Sequence, residues 1–263
     1  MTGGRPFTTQ LQAGLGMVNE TLALLRLWEP GDTAARLSDK AIEQGIFART
    51  TARRTRNIVS EMFAPRYLAS RGEPARHLKA LVEGRLPADD LRQLLFLYTA
   101  RAQAIFGEFV TDVYWVHYSG GALRVGRRQA EEFVRRALDS DRMQSRWAES
   151  TVKKVSGYLI GCCSDFGLLD GAQRSDRAIQ RFSIRPAAAL YLAYDLHTAG
   201  FGDAAVIAHA DWQLFGLNQS ETLRVIKGLA HDGHLIAQAG GDVVRISWAY
   251  PTMEACISAL AQR

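Results

Sequence analysis

Apolar residues recur every three to four positions along most of this chain, so helix is the dominant expectation. Leu22, Leu25 and Leu27 mark a short helix from an Asn19 cap to Trp28, ended by Pro30-Gly31. Ala35, Leu37, Ala41 and Ile42 mark a second, with Asp32 as its cap and Gly45 as its stop. A third starts at a Thr50 cap and runs to about Pro65. Its apolar stripe is Ala52, Thr55, Ile58, Val59, Met62 and Phe63, and Arg53, Arg56, Asn57 and Ser60 fall on the opposite face. Helix, short turn, then a helix with a basic entrance is the order of a helix-turn-helix.

The same period predicts a helix from Pro74 through Val82 and a long helical stretch from Pro87 to Tyr118, with Gly107 as a candidate interruption. That stretch is the densest apolar segment, and its aromatics Phe106, Phe109, Tyr114, Trp115 and Tyr118 read as core. Ser119-Gly120-Gly121 is the best boundary, dividing a domain of residues 1–120 from one of 121–263. Further helices are expected from Arg127 to Leu138, after a Ser150 cap, from Pro186 to Thr198, from Glu221 to about His231 and from Thr252 to Ala261. A strand is expected at Ile179–Ile184, and two more, Leu235–Ala239 and Val243–Trp248, flank a Gly240-Gly241 turn. Helix followed by tight hairpin is the winged-helix arrangement. The fold class is therefore mainly α, two helical domains with helix-turn-helix and winged-helix character and small β-hairpins.

Charge sharpens this picture. Between Ile46 and Ala80 stand eight Lys and Arg against two acids, +6 in 35 residues of a chain whose total is +5. Arg49, Arg53, Arg54 and Arg56 lie together with no acid among them. A solvated helix face normally mixes signs at i+3 and i+4 to offset repulsion. An unopposed positive field at a helix entrance suits a phosphate backbone. The candidate DNA contacts are Arg49, Arg53, Arg54 and Arg56 on phosphates, with Arg53, Arg56 or Asn57 placed for base edges should the helix enter a major groove. Lys153 and Lys154, with only Glu149 nearby, extend the list. Arg174, Arg177, Arg181 and Arg185 form a third patch that reads better as a charged strand edge. The hairpin tip, Gln238 to Asp242, has one acid and no basic residue, so the winged-helix unit reads as structural or partner-binding.

Composition narrows the class. With 263 residues, 47% of them hydrophobic and 22% charged, the chain is globular and long enough for one large domain or two small ones. No uncharged run approaches the roughly 20 apolar residues of a membrane span, and no signal-peptide pattern opens the chain. Three cysteines, Cys162, Cys163 and Cys256, odd in number and unspaced for metal, fit a reducing cytoplasm. Gly228–Leu235 lacks the Lys and Ser/Thr of a phosphate loop. His231, Asp232 and His234 read as turn residues, and the adjacent Cys162-Cys163 as buried packing thiols. No catalytic, metal or cofactor site is expected.

Five stretches carry a family resemblance: TLALLRLWEPG (21–31), GIFARTTARRTRNIVSEMFAPRYL (45–68), DDLRQLLFLYTARAQAIFGEFVTDVYW (89–115), WAESTVKKVSGYLIGCCSDFGLL (147–169) and DVVRISW (242–248). In this order they resemble BrxA, a small component of the bacterial BREX anti-phage systems. The resemblance implies a helical, cytoplasmic, non-enzymatic protein that binds double-stranded DNA beside other BREX components. It supplies no catalytic or metal motif, so the DNA contacts above rest on charge and position. A protein-interaction adaptor with a basic face for an acidic subunit, and a transcriptional regulator, stand as alternatives.

Overall fold

The computed structural model describes residues 16–48, 50–138, 147–171, 175–240 and 243–262. The chain folds as two units, each discontinuous in sequence. The first joins Met1–Arg76 to Leu95–Phe182, and the second joins His77–Leu94 to Ser183–Arg263. Both are mainly helical, each with one small antiparallel strand pair. Ser119–Gly121, the boundary expected from the sequence, lies inside the first unit.

The first unit opens with α1 (Val18–Leu27), α2 (Ala34–Glu43) and α3 (Ala52–Asn57). The expected caps are displaced, Ser150 lying inside its helix among them. Thr33, not Asp32, caps α2 by accepting the Arg36 N–H, and Thr51, not Thr50, caps α3 by accepting the Arg54 N–H. Asp32 is instead a buried anchor. The residue before α1 is Met17, in the left-handed region, and Asn19 is inside the helix instead of capping it. α3 does not end at Asn57. It widens into a π-helical segment, Ile58–Phe63, where the Ala64 N–H reaches the Val59 carbonyl, and continues as α4 (Ala64–Tyr67). The widened turn falls just before Pro65, whose ring would crowd the carbonyl four residues back in a regular helix. The rod thus passes through Pro65 and does not stop there. Beyond it Gly72, at φ +79, lies where a Cβ would come within 2.8 Å of the buried Trp28 ring, so only glycine fits.

Of α6 (Ala88–Ala102), the first turns belong to the second unit and the rest, from Leu95, to the first. The break after α6 is at Gln103, not at Gly107, which sits inside α7 (Ala104–Phe109). A second π segment, Val110–Tyr114, leads into α8 (Trp115–Ser119). β1 (Arg124–Gly126) pairs with β2 (Asp176–Ala178), so the expected strand at Ile179–Ile184 lies earlier and is shorter. Between them run α9 (Arg127–Leu138) and α10 (Glu149–Asp165), packed on each other. Phe96 centres the core, its ring 5.9 Å from Phe106, 5.6 Å from Phe166 and 5.8 Å from Phe182.

The second unit contains α5 (Glu73–Glu83, from His77), the start of α6, α11 (Pro186–Thr198), α12 (Asp203–Ala208), α13 (Gln219–His231), β3 (Leu235–Gly240), β4 (Val243–Trp248) and α14 (Met253–Ala261). α11, α12 and α13 pack on one another, β3 runs against α13, and β4 lies on α12. α13 has a full capping box between Asn218 and Glu221. The hairpin register pairs Gly240 with Val243, and residues 241 and 242 lie outside the described set. The Ile246 N–H donates to Asp203 Oδ2 at 2.9 Å, and Tyr194 Oη donates to the His234 carbonyl at 2.7 Å. These two bonds tie the hairpin to α12 and α11.

Candidate nucleic-acid interface

The Thr51 cap sets the phase of the α3 rod. Thr55, Ile58, Val59, Met62 and Phe63 turn inward, which leaves Arg53, Arg54 and Arg56 outward and Asn57 half-buried. Arg53 and Arg56 are one turn apart, so their guanidinium groups leave the same side of the rod. Among the described residues no carboxylate forms an ion pair with any of the three. Glu61, the next acid along the rod, is exposed and does not engage them. Arg49 lies outside the described residues.

α2 and the turn before it hold this rod. Leu37 and Ala41 are buried, and α2 packs on both α3 and the π segment. Asp32 accepts the Glu29 N–H at 2.9 Å, Lys40 Nζ at 2.8 Å and Arg36 Nε at 3.1 Å. Burial pulls the Asp32 pKa upward, but hydrogen bonds from Lys40 and the Glu29 N–H outweigh it and hold it below the usual carboxylate range.

The rest of the basic stretch separates into different roles. Arg66 is 3% exposed, and its guanidinium faces the Gly16 carbonyl at 3.5 Å. It belongs to the interior. Arg76 stands 4.0 Å from Glu73, and Lys79 is 2.9 Å from Glu83. Arg71 is exposed in a turn at φ +59. The unopposed charge is therefore concentrated on the first turns of α3.

Lys153 and Lys154 are exposed on α10. Their neighbour Glu149 is taken by Arg135 at 2.6 Å, which lowers the Glu149 pKa. The third patch is largely internal bonding. Arg177 donates to Ser164 Oγ, Arg185 pairs with Asp90 at 2.8 Å, Arg181 is exposed, and Arg174 lies outside the described residues. His234 is buried with Nδ1 2.9 Å from Tyr250 Oη, while His231 and Asp232 are exposed at the end of α13. Cys162 and Cys163 are fully buried. Burial pushes the Cys162 thiol up to about 12 and Cys163 well above its usual value, so both are protonated packing groups at neutral pH.

Charge is unevenly divided between the units. The first has 24 Lys and Arg against 17 Asp and Glu, whereas the second has 8 against 10. On the α12–α13–hairpin surface, Arg224 pairs with Glu221 at 3.7 Å, and Lys227 and Arg245 are exposed.

With this geometry in place, the family model for BrxA matches residues 5–195, which span nearly all of the first unit and, from the second, His77–Leu94 and most of α11. The chain belongs to the BrxA family. Membership associates it with BREX anti-phage defence. No curated protein matches it. Among solved structures it is similar in fold to an uncharacterized protein from Magnetospirillum magneticum, at a TM-score of 0.57 and 14% identity, over 73% of this chain and 94% of that one. Like the BrxA match, that likeness assigns no residue a role. Among the described residues no helix is long and apolar enough to cross a membrane.

Proposed function

We propose that this BrxA-family protein is a non-catalytic, cytoplasmic component of a BREX defence system that binds double-stranded DNA mainly through phosphates. One observation carries the reading: Arg53, Arg54 and Arg56 are exposed on the first turns of the α3 rod with no carboxylate partner among the described residues. The rod is packed on α2, a pairing we take as a helix-turn-helix in this reading. Unpaired arginines keep the capacity for bidentate phosphate contacts, since no resident acid must first be displaced. Arg53, Arg54 and Arg56 anchor the backbone, Asn57 and the Arg53–Arg56 side reach toward base edges, and Lys153 and Lys154 extend the track. Exchange of Arg53 and Arg56 for Glu is expected to abolish duplex binding in a gel shift and leave the thermal melt unchanged. Undiminished affinity in that variant contradicts the assignment.

The acidic balance of the second unit favours a second reading for that part alone. In this reading α11, α12, α13 and the hairpin act as a winged-helix unit that faces another BREX subunit and leaves the polyanion to the first unit. If the whole protein is only such an adaptor, duplex binding is weak at low salt and a subunit co-purifies. A transcriptional regulator instead leaves a footprint over a palindrome.

A further inference from the structure

α10 has a glycine at its centre, and its sequence neighbours do not explain it. Gly157 sits between Ser156 and Tyr158 in a 17-residue helix, where glycine costs about 1 kcal/mol relative to alanine. Its φ is not left-handed. The explanation is across the helix pair. Beyond its chain neighbours and its own helix backbone, the group among the described residues within 4 Å of where a Cβ would stand is the Arg127 guanidinium, with Nη2 at 3.3 Å. Arg127 opens α9, where its backbone N–H donates to the Ser175 carbonyl. Its side chain is laid over the bare patch of α10 that Gly157 leaves.

The charges around it have been sorted in a consistent way. Arg135, near the far end of α9, engages both Glu131 at 3.1 Å and Glu149 at 2.6 Å. One arginine thus occupies two of the acids of the helix pair. Arg128 is 3.9 Å from Glu132. Lys153 feels Glu149 only at longer range, and neither Arg127 nor Lys154 forms an ion pair among the described residues. On α10, Lys153 and Lys154 lie one turn before Gly157 and Tyr158, hence on the side where the Arg127 guanidinium rests. Three exposed cations thus belong to this side of the α9–α10 pair: Arg127 at Gly157, and Lys153 and Lys154 one turn before it.

We propose that Arg127, with Lys153 and Lys154, forms a second phosphodiester-binding strip on the first unit, and that Gly157 is the notch that positions the Arg127 guanidinium. The ligand chemistry is a nucleic-acid backbone phosphate, read as charge and not as sequence. The inference rests on the DNA-binding reading above, and the test separates the two. Duplex affinity is measured against salt for wild type, Arg127→Gln, Gly157→Leu, the double variant and Arg53→Glu/Arg56→Glu. Leucine fills the notch and is a better helix former than glycine, so the melt of Gly157→Leu is not lowered.

Each single variant is expected to bind several-fold more weakly at low salt. Each is also expected to flatten the slope of log affinity against log salt by about 0.9, one phosphate contact. The double variant is expected to be no weaker than Arg127→Gln alone, because both changes remove the same interaction. Wild-type affinity and slope in Arg127→Gln, beside lost binding in the α3 variant, overturn the strip and leave the main reading standing. An additive double variant overturns the role of Gly157. Salt-insensitive wild-type binding overturns the main reading and the strip with it.

Discussion

Three arginines within about one helical turn repel one another, and a like-charge pair one turn apart costs a helix about 0.2–0.5 kcal/mol. Arg53, Arg54 and Arg56 carry that cost with no acid to offset it among the described residues. Arg56→Ala is therefore expected to melt within about 0.5 kcal/mol of wild type, on the stable side, while duplex affinity falls. A loss of stability as large as that of a core substitution contradicts a solvent-facing role. Arg66 shows why residue type alone misleads. It stands among surface-like arginines in the sequence, yet the rod turns it inward toward the Gly16 carbonyl and the Cys162 thiol. Near it, Asp165 accepts the Gly16 N–H at 2.8 Å. Burial raises the Asp165 pKa against the pull of that hydrogen bond and of Arg177, with Glu20 adding to the rise. The folded state thus holds this proton to a higher pH than the unfolded state does. The corresponding stability is full below the unfolded value, near about 3.9, and is lost as pH rises through the folded one. Asp165→Asn is expected to remove this decline from the melting profile across weakly acidic pH. An unchanged profile contradicts it.

At the scale of elements, legibility followed cap chemistry and length. Pro186 at the first position and Gly200 past the end bracket α11, and both its limits were readable. The hairpin strands were readable within a residue from alternation around two glycines. α12 was missed because its six residues between Gly202 and His209 are too few to show a period. β2 was displaced because a three-residue strand has no pattern of its own; its place is set by pairing with β1. Both π segments are invisible to a search for a 3.6 period, since each slips the apolar stripe without changing its composition. The outward face of Arg53, Arg54 and Arg56 was legible because these residues precede the slip at Ile58. The Arg127 side of α10 was not singled out, although a glycine at the middle of a helical pattern was the available signal. Thr51 offers a test at this scale. Its hydroxyl caps α3 at 3.2 Å, so Thr51→Ala is expected to cost about 1 kcal/mol in the melt and to weaken duplex binding by fraying the turn that bears Arg53. Unaltered stability and affinity contradict the cap's role.

For the whole molecule, the decisive feature is the segregation of charge. A chain of net +5 divides into a unit with a surplus of seven basic residues and one with a surplus of two acids. That division explains why a pI near 9.3 does not make every surface a polyanion site. On the reading proposed above, it would give the BrxA-family protein two kinds of face, a basic one for phosphate and an acidic one for a protein neighbour. The central claim is that phosphate contacts from the first unit supply the binding. The most direct measurement is a titration of the pure protein against duplexes of unrelated sequence from about 50 to 200 mM salt. The expected result is affinity that falls steeply and log-linearly with salt and is alike for every duplex. Affinity that is flat with salt, or absent at the lowest salt, contradicts the account.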